Sequence, residues 1–250
     1  MADERQRVRM ERSAKRVRTY VGGVAIADST APWLVWEKPF YPTYYFPDDD
    51  VRTDLLVASE TTDRVPSRGE IRYLTIKSGE GAVVDAAYHH PESPVEALRN
   101  LYAFRWDAMD SWFEEDVEVY THPRDPHTRV DALPSSRHVV VEVDGVKVAD
   151  STHPTLLFET GLPVRYYLPK TDVRFDLLTP TDHHTRCPYK GTASYWTLKI
   201  NDVEHHNLVW GYPYPLPESM GVAGLVCFYN EKVDMVVDGV PQERPRSPFS

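Results

Sequence analysis

The sequence predicts a mostly-β protein, built as a tandem duplication of one small domain: a curled antiparallel sheet, barrel-like or tent-like, with short helices. Three observations predict it. Segments of the chain recur at a fixed offset of 122 residues. Prolines outnumber glycines, 21 to 12, which works against long helices. Tyrosine (15) and tryptophan (6) are abundant, as suits short strands joined by rigid turns.

The repeat is direct. Ala27-Asp-Ser-Thr30 returns as Ala149-Asp-Ser-Thr152, Tyr44-Tyr-Phe-Pro47 as Tyr166-Tyr-Leu-Pro169, and Asp50-Val-Arg52 as Asp172-Val-Arg174. Residues 18–78 share 25 identities in 61 positions with residues 140–200, without a gap. Identity at that level and at one fixed spacing marks a duplicated structural unit. The pattern divides the chain into a charged arm (1–16), a first β domain (17–120), a polar, Pro-punctuated linker (121–137), a second β domain (138–240) and a Pro-rich tail (241–250). The arm reads as a solvated segment or a first helix.

In the second copy, Val139–Val143 and Val146–Ala149 flank Asp144-Gly145, the pattern of a hairpin with a tight primed turn. Leu156–Glu159 reads as a third strand. Val164–Leu168 reads as a fourth, fenced by Pro163 and Pro169. Ser194–Ile200 is a fifth. Gly224–Tyr229 and Val233–Val237 close the unit around a turn at Asn230–Lys232. Asp172–Leu178 reads as a short helix with Asp172 as its cap.

Composition narrows the function. A net charge of -10 offers little to nucleic acid or to an anionic bilayer, so neither is expected as a partner. The one basic run, Arg5 to Arg18, reads as solvated charge. No apolar stretch is long enough to span a membrane, and the first residues carry no apolar signal core. Two cysteines, both in the second half, form no disulfide framework and fit a reducing, cytoplasmic setting. Oligomeric state and cofactor are not legible.

Chemistry concentrates in Arg186-Cys-Pro-Tyr-Lys-Gly191. Cys187 reads either as a nucleophile, its thiolate favoured by nearby cations, or as a small buried residue in a rigid turn. Lys190 is a second catalytic candidate, and His205 a candidate acid or base. Arg186, Tyr189, Lys190, Trp196 and Trp210 form a candidate ligand-binding set, in an aromatic pocket with Lys190 at its rim. His183, His184, His205 and His206 flank Cys187, but they lack a Cys-x-x-Cys knuckle, so no metal is expected. Glu159 and its counterpart Glu37 follow apolar strands, and an ion pair with Arg174 and Arg52 is the expected compensation.

Together, Ala149–Thr152, Tyr166–Arg174, Arg186–Gly191, Ser194-Tyr-Trp196 and the stretch from Ala223 to Asp234 resemble the domain-of-unknown-function 427 family. That family is mostly bacterial and fungal and is sometimes labelled nucleotidyltransferase-like. The resemblance covers nearly all of both halves, and Cys-Pro-Tyr-Lys-Gly is its most specific element. It implies a small mostly-β fold. Its label implies an enzyme acting on a phosphorylated or nucleotide-like substrate, although neither a Gly-rich phosphate loop nor a paired-Asp motif accompanies it. In the first copy the string reads Val65-Pro-Ser-Arg-Gly69 and Trp196 becomes Leu74, so a site in the second copy is expected. A small-molecule-binding protein is the leading expectation, and the enzyme the alternative.

Overall fold

A computed structural model describes residues 8–79 and 81–247. The chain divides into two units, Met1–Asp125 and Pro126–Ser250. The first contains β1 (Met10–Arg12), β2 (Val17–Val21), β3 (Val24–Ser29), β4 (Trp33–Val35), β5 (Thr43–Pro47), β6 (Leu56–Val65), β7 (Gly69–Ser78), β8 (Gly81–His89), β9 (Leu101–Phe104), β10 (Ser111–Glu114) and β11 (Val117–Val119). The second contains β12 (Val130–Pro134), β13 (Val139–Val143), β14 (Val146–Ser151), β15 (Thr155–Glu159), β16 (Arg165–Leu168), β17 (Leu178–Cys187), β18 (Gly191–Ile200), β19 (Val203–Gly211), β20 (Val226–Phe228), β21 (Asp234–Val237) and β22 (Val240–Gln242).

Both units have one topology. A seven-stranded antiparallel sheet runs β1-β4-β5-β9-β8-β7-β6 in the first and β12-β15-β16-β20-β19-β18-β17 in the second. A four-stranded sheet accompanies each, ordered β11-β10-β2-β3 and β14-β13-β21-β22. The ladders break at matching places: Thr19/Tyr20 and Val141/Glu142, Ala58/Thr62 and Pro180/His184, Leu74/Ile76 and Trp196/Leu198. An extra residue on one strand bends that strand and increases its twist, so the matched bulges curl both large sheets alike.

The period of two explains the many aromatics. In the second unit Leu168, Leu198, Val209, Val226 and Phe228 face the small sheet and pack on Val139, Val141, Val148 and Met235. Their neighbours Tyr167, Tyr195, Trp210 and Cys227 point the other way, into a second cluster with Leu157, Ala193, Tyr212 and Val222. The centre of the large sheet is thus buried on both faces. The first unit repeats this, with Phe46 and Ile76 in one cluster and Tyr45, Ile71 and Tyr88 in the other.

The repeated motifs fasten the sheet edge. Ser29 Oγ donates to Asp50 Oδ2 at 2.5 Å, and Ser151 Oγ to Asp172 Oδ2 at 2.6 Å. Ala27 bridges to Val51, and Ala149 to Val173. The arginine that follows turns outward and forms a two-pronged pair with an exposed aspartate, Arg52 with Asp54 and Arg174 with Asp176.

Several expectations change. The helix expected at Asp172–Leu178 is a pair of 3-10 turns, Lys170–Asp172 and Phe175–Leu177. Asp172 caps neither, because its carboxylate is held by Ser151. The expected arm contributes β1, which pairs with β4, while residues 1–7 lie outside the described residues. The expected linker contains β12, paired with β15 from Val130↔Glu159 to Pro134↔Thr155. Both are polar edge strands with little apolar signature. The expected tail begins inside β22, and 248–250 also lie outside the described residues. The hairpin at Asp144-Gly145 has positive φ at both residues (51° and 74°), as a type I′ turn requires.

Among the positive-φ glycines of the second unit, Gly191 carries the tightest constraint. Its φ is +98°, and a Cβ there would lie 3.1 Å from the Tyr214 carbonyl oxygen. Gly145, at φ +74°, would meet nothing. Gly191→Ala is therefore expected to cost about 2 kcal/mol or more in urea unfolding, against about 1 kcal/mol for Gly145→Ala. Equal losses would show that backbone strain alone, without the close approach, sets the cost.

Candidate functional site

In each unit a three-residue turn carries a cation into the second cluster. Cys187 pairs with Gly191 across β17 and β18, leaving Pro188-Tyr189-Lys190 as the loop. Val65 pairs with Gly69, leaving Pro66-Ser67-Arg68. Proline sets φ at the first turn position and the glycine accepts positive φ, +98° and +82° respectively, so the residue between them is driven inward. Lys190 and Arg68 are 9% and 8% exposed. A segment after β19 secures the second turn: Leu216 N–H donates to Lys190 O at 3.2 Å, and Ser219 Oγ to Tyr189 O at 3.4 Å.

Each cation meets the glutamate at or just beyond the end of the fourth strand of its copy, β4 or β15. Lys190 Nζ pairs with Glu159 Oε2, both side chains nearly sealed from solvent. Arg68 Nη2 lies 3.7 Å from Glu37 Oε1. The expected partners, Arg174 and Arg52, are instead exposed and committed to Asp176 and Asp54. The hairpin turn, 31 residues after each glutamate, supplies the cation.

The two copies solve the buried carboxylate differently. In the first, Glu37 accepts three hydroxyl donors: Tyr45 at 2.6 Å, Tyr88 at 2.9 Å and Thr43 at 3.0 Å. Tyr45 Oη also lies 3.0 Å from His90 Nε2, and His90 Nδ1 is 3.2 Å from Glu70 O. In the second unit Thr43 is replaced by Arg165, Tyr88 by Trp210 and His90 by Tyr212. Arg165 turns to Glu231 in a buried two-pronged pair at 2.6 and 2.7 Å, beneath Trp210 and Tyr229. Trp210 Nε1 donates to Tyr167 Oη at 3.1 Å. Glu159 loses these donors and keeps Lys190.

Tyr212 is left with a polar group to place. It is 5% exposed, and its hydroxyl has no hydrogen-bond partner among the described residues. Burial pushes its phenol well above the ordinary tyrosine range, and the neighbouring Cys187, Tyr195 and Glu159 add to the effect. Burial does the same to Tyr167, with Cys227 and Tyr212 next in weight.

The residues singled out in the sequence do not all meet. Lys190 and Trp210 share the second cluster's side of the sheet, and Cys187 is half-buried next to Tyr212. Trp196 faces the other cluster, 5.9 Å from Phe175, so it does not share a wall with Lys190. Arg186 is exposed. His205 sits opposite Leu198 and contacts Asp144 at 2.8 Å. Cys187 sits opposite Gly191, so the two lie about 20 Å apart along the sheet and cannot act as nucleophile and base. His183 and His184 lie on β17, away from His205 and His206 on β19, and no group of three possible metal ligands forms among the described residues. The expected site set leaves out Arg165, Glu231 and Tyr212. Only Tyr212 carried a signal, its place among the aromatics that gather in the second copy.

Two outcomes follow from this geometry. Cys187 should react with a thiol reagent in the native state, whereas Cys227, 1% exposed with its thiol pushed by burial to about 12, should react only on unfolding. Two fast-labelling thiols would contradict the packing. His90 is held below the usual histidine range, first by burial and then by Arg68. A base whose folded pKa is depressed stabilises the fold above its unfolded pKa, and that contribution is lost as pH falls. The first unit should therefore loosen as pH drops below about 6.5, before the carboxylates protonate. Peptide-resolved hydrogen exchange, corrected for intrinsic rates, should show this, and His90→Tyr should reduce it, the remainder coming from His89 and His122, which burial also holds below the usual range.

A family model described as a domain of unknown function (DUF427) matches residues 9–115 and again 131–239. No curated protein matches the chain. The two matches coincide with the two sheet pairs, each with its own glutamate and turn-borne cation. The chain belongs to the DUF427 family and carries its domain twice.

Proposed function

We propose that the chain is a small-molecule-binding protein whose ligand lies in the second unit, against Tyr212, Lys190 and Glu159. The observation that carries this reading is Tyr212, a buried side chain whose hydroxyl is not sealed from solvent and has no hydrogen-bond partner among the described residues, beside Glu159 and Cys187. A phenol with a buried ring and a reachable hydroxyl normally finds a partner. A ligand acceptor or donor placed there would bond a group that the protein leaves unmatched.

Charge indicates the class of ligand. Glu159 and Lys190 neutralise each other, so the site suits a neutral polar molecule bearing a carbonyl or hydroxyl group. Trp210 and Tyr167 supply an aromatic wall. A phosphorylated or nucleotide-like substrate has less support, because phosphate needs cationic charge that is not already spent. Turnover has less support too, since Cys187 has no histidine in reach and a nucleophile needs an activating base. The two free thiols fit a reducing, cytoplasmic setting. No helix among the described residues is long and apolar enough to cross a membrane.

A screen of neutral hydroxy-, keto- and amide-bearing metabolites by thermal shift tests the reading. A hit should stabilise the full chain, and Tyr212→Phe should weaken it roughly tenfold while leaving the fold intact. Lys190→Met should weaken it as well. A hit unaffected by both substitutions would place the ligand elsewhere, and a screen answered only by phosphorylated compounds would overturn the proposed class.

A further inference from the structure

The sequence places the expected site in the second unit, because the first lacks the thiol, the phenol and the amine of the turn and has lost or changed whatever chemistry they carry. Arg68 of the first unit argues otherwise. The side chain is buried, and its Nε is sealed from solvent without a hydrogen-bond partner. No nitrogen of the guanidinium makes a hydrogen bond among the described residues, and the 3.7 Å approach to Glu37 is an ion pair without one. A guanidinium carries five N–H donors, and buried donors are normally matched.

Among the described residues two other buried side-chain polar atoms lack partners, but neither belongs to such a group. Arg18 Nε is part of a guanidinium whose other nitrogens bond Glu115 O at 2.6 Å and Asp116 at 2.9 Å. Asp85 Oδ1 belongs to a carboxylate that Thr61 already meets at 2.8 Å through its other oxygen. Arg68 differs in having its whole hydrogen-bonding capacity unspent.

The reason lies in Glu37. Three hydroxyl donors already satisfy that carboxylate, so it does not need the guanidinium. In the second unit two of those donors are replaced, the third, Tyr167, accepts from Trp210 instead, and Lys190 binds Glu159 directly. The duplication has therefore left the first unit with a cation held in place by the turn and available to a further acceptor. We propose that the first unit carries a second binding site, in which Arg68 takes a small monocarboxylate through paired N–H···O bonds.

The class follows from shape and charge. The two Nη groups, which unlike Nε are not sealed, present a pair of donors at the end of the guanidinium, the spacing that a planar carboxylate matches with both oxygens. The Arg68 side chain keeps only 10% of its surface exposed, which admits a small molecule and not a folded partner. The nearby Glu37 disfavours a dianion, so phosphate should bind less well than a carboxylate. This site does not depend on the neutral-ligand reading of the second unit.

Nitrogen-15 spectra of the full chain, recorded on the arginine Nε–H region, test the proposal with acetate, propionate, benzoate and inorganic phosphate as probes. Arg68→Lys identifies the Arg68 signal by its loss. That signal should move downfield and saturate with a carboxylate, and phosphate should move it less. Arg68→Lys, followed by the backbone amides of Gly69 and His90, should weaken binding roughly tenfold, because an ammonium cannot present the paired donors. Arg68→Leu should abolish it, and it should still fold because Glu37 keeps its three hydroxyls. Lys190→Met should leave carboxylate binding unchanged, which separates this site from that of the second unit. No saturable shift with any carboxylate, a tighter response to phosphate, or binding that survives Arg68→Leu would overturn the proposal.

Discussion

A carboxylate at the end of a buried strand cannot stay ionised without compensation, and that requirement organises both halves of this protein. Glu37 and Glu159 lie on the side of the large sheet that the small sheet does not cover. The compensation comes from the hairpin turn after the sixth strand of each copy, where proline and glycine fix the backbone and send Arg68 or Lys190 inward. Much of what surrounds the pair serves this geometry. The bulges curl the sheet over it, the second aromatic cluster excludes water from it, and in the second unit the segment after β19 clamps the turn. Buried ion pairs add little to stability and strongly penalise the loss of one partner, so such a pair is kept for placement more than for energy.

Duplication let the two copies spread the cost differently. The first unit surrounds its glutamate with Thr43, Tyr45 and Tyr88 and leaves the arginine's hydrogen bonds unspent. The second diverts position 165 into a separate buried pair with Glu231 and matches Trp210 to Tyr167, so that lysine and glutamate rely on each other. Burial pushes Glu231 up, and hydrogen bonds from Arg165 and Ser247 more than reverse it, so its carboxyl sits below the usual range. One scaffold thus holds two polar centres of different chemistry: a neutral pair beside an idle phenol, and a guanidinium with idle donors.

Much of this was legible in the sequence. The fixed offset exposed the duplication, and the apolar runs located β13 to β16, β18, β20 and β21 in the second copy. The strands that escaped reading were the polar ones. β17 is exposed along most of its length and β19 along its first half, so neither shows one apolar face. The edge strands β1 and β12 are short and charged or Pro-ended, so they look like arm and linker until their hydrogen-bond partners are known. Cys-Pro-Tyr-Lys-Gly did mark the turn that carries the buried cation, with Lys190 paired to Glu159 and Cys187 half-buried beside it. The partner of Glu159 could not be read, because both candidate cations lie far along the chain and only the curl of the sheet decides between them. Trp196 and His205 were misplaced for a related reason. One residue of register puts a side chain on the opposite face, and seven residues along a strand carry it across the domain.

The central claim is that one buried position is satisfied in two ways, by direct pairing in the second unit and by hydroxyl donors in the first. Two double-mutant cycles in urea unfolding measure this most directly, Glu159→Gln with Lys190→Met and Glu37→Gln with Arg68→Met. The account predicts a coupling of about 2 kcal/mol or more between Glu159 and Lys190, and of less than about 0.5 kcal/mol between Glu37 and Arg68. Equal couplings, or a larger one in the first unit, would contradict it.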